Sequence, residues 1–220
     1  MSVRPLRALI VDWGGVLTTG LEEAMVAWCE ADGIDYHEYL KAMREWLGPE
    51  GEAEARFNPI HALERGEIEV PHFEEQLAAR LRTKDGQPVP AKGLIKRMFR
   101  CFDHVPAMIN VVRHVHQSGI KTALLSNSWG NEYPREGWEE MFDAVVISGE
   151  VGMRKPEPDI YRYAADQIGC RPEECVFVDD LRHNVRGAVE VGMVGIHHRS
   201  YEETVEELEA LFGLDLRAAS

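Results

Sequence analysis

Hydrophobic and polar positions along this chain follow two rhythms. The first is a set of short apolar runs that stop at a polar residue. Residues 6–12, Leu-Arg-Ala-Leu-Ile-Val-Asp, form one, and Gly14-Gly15 follow at once. Ile120 to Leu125 stops at Ser126, Ala144 to Ile147 at Ser148, and Val176 to Val178 at Asp179-Asp180. Met193 to Ile196 is a last, short run. Such runs suit strands buried on both faces, as in a parallel sheet. The second rhythm is helical. Val105, Met108, Ile109, Val112 and Val115 predict a helix closed by Ser118-Gly119. Pro156 to Ile168 predicts another, with prolines in its first turn and Gly169 at its end. Val185 to Val191, closed by Gly192, and an acidic stretch at 201–212 predict two more. This alternation implies right-handed βαβ units. The expected fold class is α/β, a doubly wound, mostly parallel, Rossmann-like sheet with helices on both faces.

From Leu21 to about Arg100 the strand rhythm is absent. Leu21, Ala24, Met25 and Trp28 fall at i, i+3, i+4 and i+7, and Tyr36, Tyr39, Leu40, Met43 and Leu47 continue with a similar period. Phe73, Leu77 and Leu81 mark a further stripe, while Gly48-Pro49-Glu50-Gly51, Gly66 and Pro71 punctuate the segment. The expectation is an all-helical insertion over 21–100 in an α/β core made of 1–20 plus 101–220. There is no internal repeat and no low-complexity tract.

Composition narrows the class of partner. The chain has 220 residues, 24 Lys+Arg, 38 Asp+Glu, a formal charge of −14 and 45% hydrophobic residues. That balance buries a sizeable core. The acidity argues against a binder of nucleic acid or of anionic membranes, since both need a basic face. No apolar run approaches the roughly 20 residues that span a bilayer. Met1 to Pro5 leads straight into the first strand-like run, unlike a signal peptide. Cys29, Cys101, Cys170 and Cys175 have no CxxC spacing and are read as reduced thiols of a cytoplasmic protein, packed as small hydrophobes.

In open α/β sheets ligands bind beyond the carboxyl ends of the strands, where Asp12, Ser126 and Asp179-Asp180 would converge. Each carries two readings when taken alone. Asp12 stands before two glycines whose bare backbone admits a ligand, and a carboxylate there can act as a nucleophile. It equally suits a structural strand end. Ser126 and Asn127 offer a hydroxyl and backbone N–H groups to an anion, or simply a turn. Lys155, in Gly152-Met153-Arg154-Lys155-Pro156, either aims its ammonium into the crevice or lies solvated on the surface. Asp179 and Asp180 repel each other unless a cation or donor compensates. They suit Mg²⁺, which takes one or two carboxylates plus waters and phosphate oxygens, or an exposed acidic turn. His114 and His116 would point to different faces of a helix, and His197 and His198 would alternate off a strand, so neither pair is read as a metal site. Trp13 either lines the entrance or packs.

In this order and with these spacings the four elements resemble the motifs of the haloacid dehalogenase-like hydrolase superfamily. The pattern is most similar to its subgroup with a helical cap inserted after the first motif. The resemblance covers nearly the whole chain, with core motifs in 7–20 and 120–197. Glu64-Arg65-Gly66-Glu67-Ile68 with Phe73 also resembles a cap signature. The resemblance implies that Asp12 is the nucleophile and that Ser126, helped by the backbone near Asn127, binds the phosphoryl group. Lys155 would steady the charge of both. Mg²⁺ would be held by Asp12, the Gly14 carbonyl and Asp180, with Asp179 beside it as a direct ligand or one layer out. The implied activity is that of a Mg²⁺-dependent phosphatase-like hydrolase acting on a small phosphorylated metabolite through an aspartyl-phosphate.

One position departs from the pattern. Phosphatases of the superfamily usually carry a second Asp two residues after the nucleophile, as general acid and base, and here that position is Gly14. Glycine keeps the carbonyl, so metal binding is expected to survive. The acid–base contribution, about 10²–10⁴-fold, is lost unless supplied otherwise. A substrate with a good leaving group would need it less. Glu22, Glu23, Thr18 or His183 could substitute. Alternatively the protein is a catalytically weak binding or regulatory protein on the same fold. Dehalogenases of the superfamily attack carbon without Mg²⁺, generally have an aromatic residue where Gly14 stands and lack the paired carboxylates, so Asp179-Asp180 favours phosphoryl transfer. No motif specifies the substrate or the oligomeric state.

Overall fold

The computed structural model describes residues 5–47, 58–130 and 133–217. Met1 to Arg4 and the Gly48-Pro49-Glu50-Gly51 break lie outside them. In chain order, β1 (Ala8–Val11) is followed by five helices, α1 (Leu21–Ala31), α2 (Tyr36–Leu47), α3 (Pro59–Glu64), α4 (Val70–Arg80) and α5 (Leu94–Phe99). Then come α6 (Pro106–Gln117), β2 (Lys121–Ser126), β3 (Ala144–Ile147), α7 (Ser148–Val151), α8 (Pro158–Gln167), β4 (Cys175–Asp179), α9 (Arg182–Glu190), β5 (Val194–His197) and α10 (Tyr201–Phe212). No helix among the described residues is long and apolar enough to cross a membrane.

The strands pair in parallel in the order β3-β2-β1-β4-β5. β2 and β3 lie to one side of β1, and β4 and β5 to the other. The winding therefore reverses at β1, and the carboxyl ends of β1, β2 and β4 border the resulting crevice. Side chains alternate across the sheet as the pleat requires. Leu9, Val11, Leu124, Val176 and Val178 share a core with Met108 and Val112 of α6 and Leu208 of α10. Ala8, Ile10, Ala123, Leu125 and Phe177 share another with Ile160 and Tyr161 of α8 and Ala188 of α9. Both faces are covered, which is why the strands read as continuous apolar runs.

Helices α1–α5 build a third apolar cluster, centred on Trp28, Phe73, Leu77 and Leu94. On α1 the buried positions are Ala24, Met25, Trp28 and Cys29; of the predicted stripe Ala24, Met25 and Trp28 turn inward, while Leu21, in the helix's first turn, stays exposed. Within 21–100 the described residues hold no strand, only isolated bridges such as Ile34 with Thr83. The short α3 is fixed at its start by Asn58, whose side-chain oxygen accepts from the N–H groups of Ile60 and His61 at 2.9 and 3.3 Å. Pro59 occupies its first turn.

Boundaries shift in instructive places. β2 and β4 include Ser126 and Asp179, so these polar residues end the strands from within the ladder. α9 begins at Arg182 rather than Val185, because its first turn, Arg182-His183-Asn184, carries no apolar stripe. α7 is four residues long, too short to show a period.

Candidate active site

Asp12 leaves β1 with its N–H bonded to the Val178 carbonyl at 2.9 Å, which levels it with the end of β4. Its Oδ1 accepts from the Trp13 N–H at 2.7 Å and lies 2.8 Å from Lys155 Nζ. The same ammonium lies 2.6 Å from Asp179 Oδ2. Lys155 is fully buried, so both contacts form away from water. It sits in the connection between α7 and α8, and Asn127 fixes that connection. The Lys155 N–H donates to Asn127 Oδ1 at 2.9 Å, and Asn127 Nδ2 donates to the Lys155 carbonyl at 3.0 Å. The Asn127 side chain is thus engaged at both ends, and what remains to it for a ligand is main chain.

Asp179 is likewise held. Its Oδ1 accepts from the Leu181 N–H at 2.8 Å, and Asn184 Nδ2 lies 3.1 Å from each of its oxygens. Asp180 faces the cavity instead. Its main-chain carbonyl pairs with His197 Nε2 at 2.9 Å. An ideal Cβ on Gly15, where φ is +70°, would collide with the Asp180 carboxylate, so only glycine lets the turn after Asp12 close this tightly on β4. Ser126 Oγ lies 2.9 Å from the Tyr133 hydroxyl.

Oxygens of Asp12, Asp179 and Asp180 all come within 4.8 Å of one another. Three carboxylates around one ammonium leave two negative charges in excess when all are ionised. Burial pushes Asp12 up to about 8, Asp179 and Asp180 push the same way, and Lys155 opposes. Burial and then Asp179 push Asp180 up to about 6. For Lys155, burial pulls downward, and Asp12 and Asp179 outweigh it. Asn184 Oδ1 is a buried acceptor without a partner beside this cluster. Hard oxygen donors with excess negative charge and an idle amide oxygen fit a divalent cation such as Mg²⁺.

The residues considered as substitutes for a carboxylate at position 14 separate in space. Glu22 and Glu23 are exposed on α1 and do not line the cavity above Asp12. Thr18 is buried, and its hydroxyl bonds carbonyls of the same loop, Thr19 at 3.2 Å and Trp13 at 3.4 Å. His183 does line the cavity. At Gly14 an ideal Cβ meets nothing within 4 Å, so the site has room for a side chain there. Trp13 both lines the cavity and packs edge-on against Tyr133, with ring centroids 5.2 Å apart. His116 bonds Thr122 at 2.9 Å and His198 bonds Thr204 at 2.7 Å.

Three further groups had no sequence signal of their own: Tyr133, His61 and Arg154, which all line the cavity. Burial holds Tyr133 up at about 12. Burial, then Arg154 and Arg65, push His61 down to about 4. Arg154 Nε donates to Glu64 Oε2 at 2.6 Å, and Trp129 Nε1 donates to Glu64 Oε1 at 3.2 Å. Next to it, Arg65 Nε donates to Glu157 at 2.9 Å. An ideal Cβ on Gly66, with φ +69°, would lie 2.7 Å from the Gly149 carbonyl oxygen. The Glu64-Arg65-Gly66 signature is therefore a docking patch, joining α3 to the segment that carries Lys155.

Comparison with known proteins places the chain among relatives of one kind. A family model described as haloacid dehalogenase-like hydrolase matches residues 6–192. A sesquiterpene phosphatase of Aspergillus oryzae is 30% identical over 155 residues, 68% of this chain and 77% of that protein. Acyl-CoA dehydrogenase family member 10 of Mus musculus is 29% identical over 220 residues, 97% of this chain. The chain spans only 20% of that protein's length. A HAD family enzyme from Bacteroides thetaiotaomicron, solved with magnesium and inorganic phosphate, superposes with a TM-score of 0.63 at 20% identity, covering 88% of this chain and 94% of that one.

Proposed function

From the premise that the chain belongs to the haloacid dehalogenase-like hydrolase family, we propose that it is a Mg²⁺-dependent phosphatase acting on a small phosphate monoester through Asp12. The observation that carries the reading is the cluster of Asp12, Asp179 and Asp180 around the buried Lys155 ammonium, with Ser126 at the neighbouring strand end. The likeness to a protein named as a phosphatase supports it.

In this reading Asp12 attacks phosphorus in line with the leaving oxygen. A bond forms between its carboxylate and phosphorus, and the bond to the leaving oxygen breaks. The departing alkoxide takes a proton from solvent or from a cavity group such as His183. Water then attacks the phosphoryl-enzyme, releasing inorganic phosphate and restoring Asp12. Lys155 stays cationic throughout, opposing charge on both Asp12 and the transferring group, in a dry site where that opposition is strong. Ser126 and the main chain at Asn127 orient the phosphoryl oxygens. Asp12, Asp180 and the Gly14 carbonyl would hold Mg²⁺, with Asp179 and Asn184 beside them. The ion supplies positive charge that keeps the carboxylates ionised and offsets the phosphoryl charge. Segment 21–100 serves as a cap over a core of 1–20 and 101–220, excluding water and selecting the substrate.

Asp12→Asn is expected to abolish hydrolysis of a generic aryl phosphate in Mg²⁺. Wild-type rates in that variant would sink the mechanism. Because position 14 has no carboxylate, a second reading is a weakly catalytic binding or regulatory protein. It predicts that a panel of phosphate esters, including a sugar 1-phosphate and an acyl phosphate, shows no turnover above an EDTA control.

A further inference from the structure

The cavity above the carboxylates has a volume of about 290 Å³, at the lower edge of the roughly 300–1,000 Å³ common for small-ligand sites. One end is the charged cluster. Away from it the walls are Leu21, Ile60, Met98, Phe99, Phe102 and Trp129. The apolar surface begins beside Asp12 itself, since the Trp13 ring lies 5.7 Å from Phe102 and 6.1 Å from Phe99, centroid to centroid. At the mouth stand Leu21, 43% exposed, and Leu181, 37% exposed, two large apolar side chains left facing water.

Several of the polar groups in these walls are already committed to partners within the protein. Glu64 serves Arg154 and Trp129, Asn127 serves the Lys155 main chain, and the Asn184 amide N–H₂ serves Asp179. His61, with its proton affinity lowered by burial and Arg154, adds a neutral ring at neutral pH. A sugar laid against such walls would strip water from its hydroxyls and find few partners for them, which disfavours binding. A methylene chain in the same place gains from every carbon it buries.

The geometry points to a phosphate monoester of an apolar alcohol, an alkyl or aryl chain of modest length, as the substrate class of this site. The phosphoryl group sits at Asp12, Ser126 and Lys155. The carbon body runs along Trp13, Phe102 and Met98 towards Leu21. This rests on the phosphatase reading above, and its test is built so that the two can fail separately.

The test uses the full chain in Mg²⁺ with n-alkyl monophosphates from ethyl to decyl, and with sugar phosphates alongside. kcat/KM is expected to rise about four-fold per added methylene until the cavity is filled, with the sugar phosphates well below the best alkyl ester. Calorimetric binding of the matching n-alkylphosphonates, which are not hydrolysed, should show the same climb in affinity. Leu21→Ser, at an exposed position that leaves the core intact, should flatten the climb at its long end. Turnover with a flat chain-length series, or sugar phosphates equal to the best alkyl ester, overturns the apolar substrate class alone. A climb in phosphonate affinity with no turnover of the alkyl esters or of an aryl phosphate run beside them overturns the phosphatase reading and retains the apolar site. A flat phosphonate series with no turnover overturns both.

Discussion

Glu64→Gln removes one charge from the buried contact between α3 and the Lys155 segment while keeping the shape of the side chain. Both partners of the contact are enclosed, each side chain only 10% exposed, and their polar atoms are 2.6 Å apart. Gln can still accept from Trp129, but its NH2 then faces the Arg154 N–H, so the change removes the charge and the Arg154 hydrogen bond together. It leaves the Arg154 guanidinium buried without a counter-ion, a loss of about 3–5 kcal/mol. At roughly 2–4 °C per kcal/mol for a chain of this size, Tm should fall by about 6–20 °C. The pair itself is a poor source of net stability, because desolvation opposes its attraction. Burial accordingly holds the Glu64 carboxyl above its ordinary value against the pull of Arg154. Replacing both residues by Met should therefore recover most of the loss. Urea unfolding of wild type, Glu64→Gln, Arg154→Met and the double Met variant checks the order. A Glu64→Gln penalty under about 1 kcal/mol, or a double variant less stable than either single, would refute the reasoning.

Other expectations follow from the site. Gly14→Asp should fold in Mg²⁺, since its Cβ position is open, and should raise turnover of esters with poor leaving groups; steady-state rates on alkyl against aryl phosphates check it, and equal or lower rates in a folded variant count against simple acid replacement. Gly15→Ala should weaken Mg²⁺ binding and activity together, because its methyl would displace the Asp180 carboxylate; calorimetric titration with the ion reads the first. In EDTA, thermal stability should fall as pH rises from about 4 towards 8. Asp12 and Asp180, raised to about 8 and about 6, keep protons in the folded state that the unfolded chain, with carboxyls near 3.8, has released. Their contribution is full below about pH 4 and lost on the way up. Asp12→Asn should flatten the upper part of that fall in thermal scans, and an unchanged slope would exclude Asp12 as its source.

The strands were legible because burial on both faces writes an unbroken apolar run, and because the polar residue ending each run is what the crevice needs. Asp12, Ser126 and Asp179 were visible for that reason. Lys155 was visible only through its motif, since nothing local distinguishes a buried lysine from a solvated one; its burial depends on Asp12 and Asp179, each more than 20 positions away. The engagement of the Asn127 side chain with the Lys155 main chain was illegible for the same reason; it makes that side chain a bracket for the lysine and leaves the Asn127 main chain for a ligand. The apolar walls come from residues whose periodicity reports only that they are inward on some helix. Leu21 borders a cavity, whereas Leu77, marked inward by the same kind of stripe, packs solidly into the helical cluster.

The ion pairs of α3 have a consequence for engineering. Glu64 and Arg65 grip positions 154 and 157, on either side of Lys155. A helical segment transplanted from another protein would have to supply its own counter-charges at those two places, or Arg154 and Glu157 would have to be exchanged with it. The exchange of α3 in this architecture therefore involves four side chains far apart in the chain, two of which flank the buried lysine.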